Sequence, residues 1–425
     1  MTLRQQLHRG LASILLYASM LITIRVYAEN TVLARFRNTF DGYLKNATAV
    51  RLEKPDYFTQ VYNCLQLEYS DWLGDNMGFS LIGRAVYDGA YDLENDRLPD
   101  DKDDYGAYAD LREALVKLTL GAVDVSAGKQ QVVWGKTDGF RVTDVVNPLD
   151  YRNPTVVKFL DSRIPLWMLN LEYYPSLDHM IQILAIPDMR FAEIPRQPTP
   201  SGVSMQADQT PKVSLRNTEY GIRYSGYLNG WDITLNYLYS WNDIPYIRRK
   251  ISSDGMISLT PEHIRLHIAG GTFATVLWEG VIRGEFAAQP DFRFSVTDPV
   301  DPDGLVEKTL LAYALAYERD LFDLHWLVQF FQQRIADYEA EIDTEESLSY
   351  FTLNSSKTFL RETLELSASA VYEAANGSWL LHPEVTYDYS DTVKFTGGVE
   401  FSINDAESNE NRDAERLHAG ITYSF

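Results

Sequence analysis

Over most of the chain, apolar and polar side chains alternate with a period of two, and the charged residues gather on one of the two faces. In 231–241, Trp231, Ile233, Leu235, Tyr237, Tyr239 and Trp241 share a face, opposed by Asp232, Thr234, Asn236 and Ser240, with Leu238 as the exception. In 277–287, Trp278, Ile282 and Phe286 oppose Glu279, Arg283 and Glu285, and in 392–403, Val393, Phe395, Val399 and Phe401 oppose Lys394, Thr396, Glu400 and Ser402. Successive strand residues point to opposite faces, so this pattern belongs to strands with one greasy and one wet side. Charges on so many inward faces would disrupt the core of a soluble sandwich. A water-filled lumen accommodates them while the apolar face meets lipid. The pattern therefore predicts an all-β, transmembrane antiparallel β-barrel.

About eighteen such segments can be laid out, starting near Leu33, Phe58, Met77, Leu111, Val123, Leu166, His179, Thr218, Trp231, Glu262, Leu277, Lys308, Leu324, Leu348, Glu362, Ser378, Thr392 and Ala414. Sixteen result if 344–373 is over-divided. Connection length sorts by parity. Short ones (Asp71–Asn76, Leu120–Ala122, Pro175–Asp178, Leu228–Gly230, Phe273–Val276, Arg319–Asp323, Phe359–Arg361, Ser390–Asp391) alternate with 43–57, 92–110, 132–165, 188–217, 242–261, 288–307, 336–347 and 404–413. Only 374–377 breaks the rule. Short periplasmic turns and long extracellular loops sort in this way.

The N-terminus reads as a signal peptide over 1–28. Arg4 and Arg9 precede the uncharged apolar run Leu11–Ile24, and Val26-Tyr27-Ala28 offers small residues for cleavage. This predicts Sec export and a single barrel domain over 29–425. Cys64 is the only cysteine, so no intrachain disulfide forms, and no C-x-x-C-H haem site is present. Beyond residue 28 the chain carries 35 basic against 60 acidic residues. Nucleic acid is thus an unsuitable partner. Loops 92–110, 288–307, 336–347 and 404–413 hold 23 acids against Arg97, Lys102, Arg293 and Arg412, which gathers the negative charge on the outer face. Loop 242–261 instead carries Arg248-Arg249-Lys250.

The last strand, Ala414–Phe425, alternates Leu417, Ala419, Ile421, Tyr423 and Phe425 with Arg416, His418, Gly420, Thr422 and Ser424. With its terminal aromatic it resembles the closing strand of Gram-negative outer-membrane barrels. That resemblance makes Tyr423 and Phe425 an insertion signal and the barrel insertion machinery a partner. The surroundings it implies are the outer-membrane bilayer and its lipopolysaccharide. The alternative is an edge strand of a soluble β-sandwich.

The most distinctive stretch is Gly128–Arg152. A strand runs into a loop dense in Trp134, Gly135, Asp138, Arg141, Asp144, Asn147, Pro148 and Asp150. Such a loop is too polar and too rigidly punctuated for a plain connector. Its mixed charges could fold inward and pair to form a constriction. The spacing of Gly128, Gln130 or Gln131, Val132, Trp134, Gly135, Asp144, Asn147, Pro148 and Asp150 resembles the signature of the outer-membrane barrel family known as domain of unknown function 1302, which is similar in layout to alginate-export and porin-like barrels. The stretch 382–404 resembles that family's closing hairpin. The expected pore-lining or constricting residues are Lys129, Trp134, Lys136, Asp138, Arg141, Asp144, Asn147, Asp150, Arg152, Arg265, Glu279, Arg283 and Glu285. The alternative role for the motif is to plug and staple the barrel wall.

No catalytic signature (G-x-S-x-G, H-E-x-x-H, Walker loop or G-x-G-x-x-G) is present, and neither an enzymatic activity nor a cofactor is expected. His263 and His267 would lie roughly 13 Å apart on a strand, too far to share an ion, so with Arg265 they are expected to line the pore and no metal site is assigned. Asp298, Asp301 and Asp303 have spacings suited to Ca²⁺ but also suit a solvated acidic loop. The leading expectation is a porin-like channel passing a small solute, a hydrophobic compound or an exported polymer. The alternative is a barrel sheath around a partner such as a cytochrome or a periplasmic export component.

Overall fold

The computed structural model describes residues 40–52, 57–94, 105–152, 162–194, 203–251, 256–297, 303–403 and 415–425. The signal-peptide assignment and the strand start at Leu33 lie outside these residues. The strands are β1 (Asp41–Arg51), β2 (Phe58–Leu73), β3 (Met77–Asp88), β4 (Ala107–Leu120), β5 (Val123–Gln130), β6 (Leu166–Ser176) and β7 (His179–Ile186). There follow β8 (Val203–Met205), β9 (Glu219–Leu228), β10 (Trp231–Trp241), β11 (Tyr246–Ile251), β12 (Ile257–Glu262), β13 (Arg265–Leu277) and β14 (Gly280–Ser295). The last are β15 (Leu305–Leu321), β16 (Leu324–Ile335), β17 (Ser347–Phe359), β18 (Leu364–Glu373), β19 (Ser378–Ser390), β20 (Val393–Ile403) and β21 (Arg416–Ser424).

Eighteen of these form one antiparallel sheet in which each strand pairs with its sequence neighbour, and β1 pairs with β21 from Tyr43↔Ser424 to Arg51↔Arg416. The sheet is therefore a closed barrel, which leaves no unpaired edge. The remaining three, β8, β11 and β12, make a small separate sheet from two of the long loops.

Connections alternate as expected. On one end they are the turns at 74–76, 121–122, 177–178, 229–230, 278–279, 322–323, 360–363 and 391–392. Several boundaries differ from the sequence reading; the expected loop 288–307, for instance, is strand as far as Ser295. The turn expected at Phe273–Val276 lies inside β13, and the chain reverses at Trp278 and Glu279, both with left-handed φ (50° and 61°). Two consecutive left-handed residues give the tight reversal whose twist matches antiparallel strands. The loop expected over 43–57 shrinks to 52–57, because β1 stays in register with both β2 and β21 up to Arg51 or its neighbour.

Facing follows parity. Leu65, Leu81, Val116, Leu169, Ile183, Ile222, Leu235, Leu315, Val328, Leu353 and Leu366 are exposed along mid-strand positions of the outer wall. Trp72, Trp231, Trp278, Phe322 and Tyr389 are exposed near the turn end, where an aromatic girdle would meet the bilayer interface. Inside, the largest buried cluster joins Leu166, Met168, Leu184, Ile186, Leu238, Leu266, Ile268, Ala287, Ala312, Ala314 and Phe331 of the wall to Val132, Trp134, Val142 and Val146 of one loop. The lumen is thus apolar where that loop packs, not uniformly polar.

Candidate functional site: a segment crossing the lumen

The segment between β5 and β6 folds into the barrel. Trp134 is 1% exposed, and its indole N–H donates to Gln182 Oε1 on β7 at 2.8 Å. Gly221 on β9 makes room for it, since a Cβ there would lie 2.9 Å from the indole ring. Further on, Glu285 on β14 accepts from the backbone N–H groups of Lys136 and Thr137, from the Thr137 hydroxyl at 2.9 Å, and from the N–H and hydroxyl of Thr143 at 3.1 and 2.7 Å. One buried carboxylate thereby satisfies five donors of a loop that has no ladder of its own, which is the condition for burying such backbone.

The tip reaches further. Asp138 N–H donates to Gln329 Oε1 and Gln329 Nε2 donates to the Asp138 carbonyl, each at 3.1 Å. Phe140 stacks on Phe331 of β16, ring centroids 4.5 Å apart and planes at 10°, and lies 5.3 Å from the ring of Tyr350 on β17. Counting round the wall from β5 through β6, β7, β9, β10, β13, β14, β15 and β16 to β17 takes nine of the eighteen steps. The segment therefore spans the bore from its root to the opposite wall. Among the described residues it makes no hydrogen bond, ion pair or ring contact with the inner faces of β18 to β21.

The polar motif folds the segment upon itself. Asn147, 1% exposed, accepts the Val132 N–H at 2.8 Å and donates to the Ile164 carbonyl at 2.9 Å, joining the outgoing and returning legs. Arg141 donates to the carbonyls of Asp144 (2.6 Å) and Asn147 (2.8 Å) and pairs with Asp243 at 3.3 Å. Burial pushes the Asp243 carboxyl above its ordinary range, with Arg141 pulling the other way. Asp144 and Arg163 form a buried ion pair at 2.5 Å. Asp150 pairs with Arg152, whose guanidinium lies over the rings of Tyr105 and Tyr108. Lys129 is buried against Asp110 at 3.4 Å, and Lys136 pairs with Asp232 of β10 at 2.7 Å.

Arg283 faces the lumen, donating to the Lys136 carbonyl at 3.1 Å and pairing with Glu318 and, at 3.8 Å, with the exposed carboxylate of Asp138. Three expected lining residues, Arg265, His267 and Glu279, do not face inward. Arg265 is the cross-strand partner of Trp241 and His267 that of Tyr239, on the face that carries exposed Leu235 and Tyr237. The Arg265 guanidinium lies 4.6 and 4.4 Å from the ring centroids of Tyr239 and Trp241 on the outer wall. Such a charge reaches the interface while its stem covers apolar surface. Glu279 sits in the turn after β13, exposed and paired with Arg319. His263 is buried in a loop, hydrogen-bonded to the Asn242 carbonyl and stacked on Phe191, so it shares no face with His267. Asp298 and Asp301 lie outside the described residues.

The rings of Tyr423 and Phe425 lie 6.1 Å apart, tilted by 36°, and Phe425 exchanges backbone hydrogen bonds with Gly42 of β1. Above the crossing segment, at the loop end, lies a cavity of about 480 Å³ lined in part by Arg141, Trp241, Asp243, Tyr246, Phe292 and Arg293. Glu285, Gln329, Phe140 and Phe331 hold the segment across the bore. Of these only Glu285 stood out in the sequence, as one of the charges on the polar face of its strand, and an aromatic beside Gly139 in a polar loop was the signal for Phe140.

A family model described as protein of unknown function (DUF1302) matches residues 46–325. The 382–404 stretch lies beyond that match. No curated protein matches the chain. Among solved structures, the chain is similar to Pseudomonas aeruginosa OccK8 (OprE), with a TM-score of 0.51, 11% identity, and 91% of this chain and 98% of that one covered. Acinetobacter baumannii OccAB1 gives a TM-score of 0.54 at 10% identity, covering 91% and 96%. Pseudomonas aeruginosa OccK2 (OpdF) in complex with glucuronate gives 0.51 at 9% identity, covering 91% and 97%. At these identities the likeness is one of fold alone, that of a closed antiparallel β-barrel.

Proposed function

The chain belongs to the family of proteins of unknown function DUF1302, and on that premise we propose that it is a non-enzymatic outer-membrane channel passing a small solute. The observation that carries this reading is the segment held across the bore by Glu285, Gln329 and Phe331. A pore that discriminates between solutes needs a narrow, fixed constriction lined by placed polar groups. Arg283 and the exposed Asp138 carboxylate stand at that constriction, and the cavity above it forms an entrance of small-molecule size. Diffusion down a gradient, from the long-loop side or the short-turn side, requires no other moving part.

The crossing segment also weighs against the competing functions. A polymer or an inserted cytochrome needs a clear bore, and here apolar side chains of the segment pack against the wall inside it. One similar barrel holds glucuronate, a small carboxylated sugar. Arg141 and Arg293 line the entrance cavity, each already paired with a carboxylate, Asp243 and Glu307. The test is single-channel current from the refolded protein in a planar bilayer under a salt gradient, for the wild type and for Glu285→Ala. Steady conductance that rises in the variant supports the reading. Two silent barrels would overturn it.

A further inference from the structure

We propose that His382, Glu384 and His418 form a lumenal binding site for a zinc-class divalent cation. The three side chains come from two strands that are not neighbours. β19 carries His382 and Glu384, β21 carries His418, and β20 lies between them. Strand spacing puts β19 and β21 about 9.6 Å apart, normally too far for side chains to meet. Gly398 removes the obstacle. It is the cross-strand partner of both Glu384 and His418, and a Cβ there would lie 2.5 Å from His418 Nε2. The two imidazoles close over the glycine until their Nε2 atoms are 2.9 Å apart.

The ligand atoms of all three residues lie within 4.8 Å of one another. Around a tetrahedral ion with metal–nitrogen bonds of about 2.0–2.1 Å, ligand atoms are roughly 3.3 Å apart. The pair needs to open by only a few tenths of an ångström. Two neutral imidazoles and one carboxylate suit a first-row divalent metal rather than the oxygen-seeking Mg²⁺ or Ca²⁺, and three protein ligands leave a coordination position for water or a passing solute. The nearby guanidinium of Arg416 is paired with Glu400 at 2.8 Å, so its charge is already compensated.

These residues face the lumen, on the part of the wall with which, among the described residues, the crossing segment makes no hydrogen bond, ion pair or ring contact. Cross-strand pairing shows this: His382 partners Ser369, which in turn partners Asn354, on the face opposite exposed Leu353. If the barrel conducts, as proposed above, a bound cation stands in the conduction path.

The test uses untagged, refolded full-length protein titrated with Co²⁺, whose visible spectrum reports tetrahedral nitrogen and oxygen ligation. The expected result is one Co²⁺ per barrel, displaced by Zn²⁺, with His418→Ala and Gly398→Ala each weakening binding roughly tenfold or more. Heat-modifiable migration on a gel verifies that each variant is a folded barrel, and His382→Ala serves if Gly398→Ala does not fold. No cobalt spectrum, or the same affinity in His418→Ala, overturns the site. Zn²⁺ is further expected to change single-channel current reversibly with a chelator. A cobalt signal in a silent barrel would sink the channel reading and leave the site standing.

Discussion

The carboxylate of Glu285 on β14 takes both the backbone N–H and the hydroxyl of Thr143, 142 residues earlier in the chain, at 3.1 and 2.7 Å. With Lys136 and Thr137 on its other oxygen, it is the point at which the crossing segment is fastened to the wall.

Glu285→Ala leaves those donors without an acceptor, and each buried unsatisfied group costs about 1–3 kcal/mol. The strand ladder is untouched, so the segment and not the barrel is expected to give way. Single-channel recordings are expected to show larger and noisier conductance at an almost unchanged barrel melting temperature. Unaltered conductance would mean that the segment is held elsewhere.

Asp144 and Arg163 are almost wholly buried, at 5% and 4% side-chain exposure. Removing one partner strands a buried charge, at a cost of roughly 3–5 kcal/mol. Arg163→Met, which strands the Asp144 carboxylate, is expected to be the damaging single change, and replacing both with apolar residues of similar volume is expected to restore much of the loss. Thermal unfolding followed by gel migration gives the ordering. A double variant no better than the single would remove the ion pair as the cause.

Asp243 lies in the loop after β10, with its carboxyl pushed up by burial and its guanidinium partner opposing. An acid that holds its proton more tightly folded than unfolded opposes folding at neutral pH, and that opposition fades as pH falls through the folded value. Lowering the pH is thus expected to protonate Asp243 before ordinary exposed carboxyls, freeing one of Arg141's three bonds. Conductance should shift reversibly as the pH is lowered through that titration, and Asp243→Asn should show the acid behaviour throughout. The same pH response in both proteins would exclude this group.

Arg265 and Arg283 lie on opposite faces of the wall. Arg283→Ala is expected to move the reversal potential towards cations, because it removes positive charge beside Asp138. Arg265→Ala is expected to leave the reversal potential unchanged, since its charge rests on Tyr239 and Trp241 outside. A shift of equal size in both would contradict the assigned facing.

What could be read from the chain alone was the wall. In a meander barrel each strand pairs with the next, so local parity decides which side chains meet lipid, and turn length decides which end is which. Trp231 to Trp241 faced outward as their alternation said. The sequence also marked Trp134, Asp144 and Asn147 as belonging to an ordered loop, because such dense turn chemistry and punctuation has no use in a flexible one.

Register and long-range contact were not legible. Whether Arg265 faces in or out depends on its pairing with Trp241, and parity within β13 does not fix the offset between strands. Where the segment lands was set by Glu285 and Phe331, residues far away in sequence. The meeting of His382 and His418, 36 residues apart, needed the empty face of Gly398 between them. Short-range alternation determines a strand's two faces, whereas closure of the barrel, an arrangement in space, decides which distant side chains share the lumen.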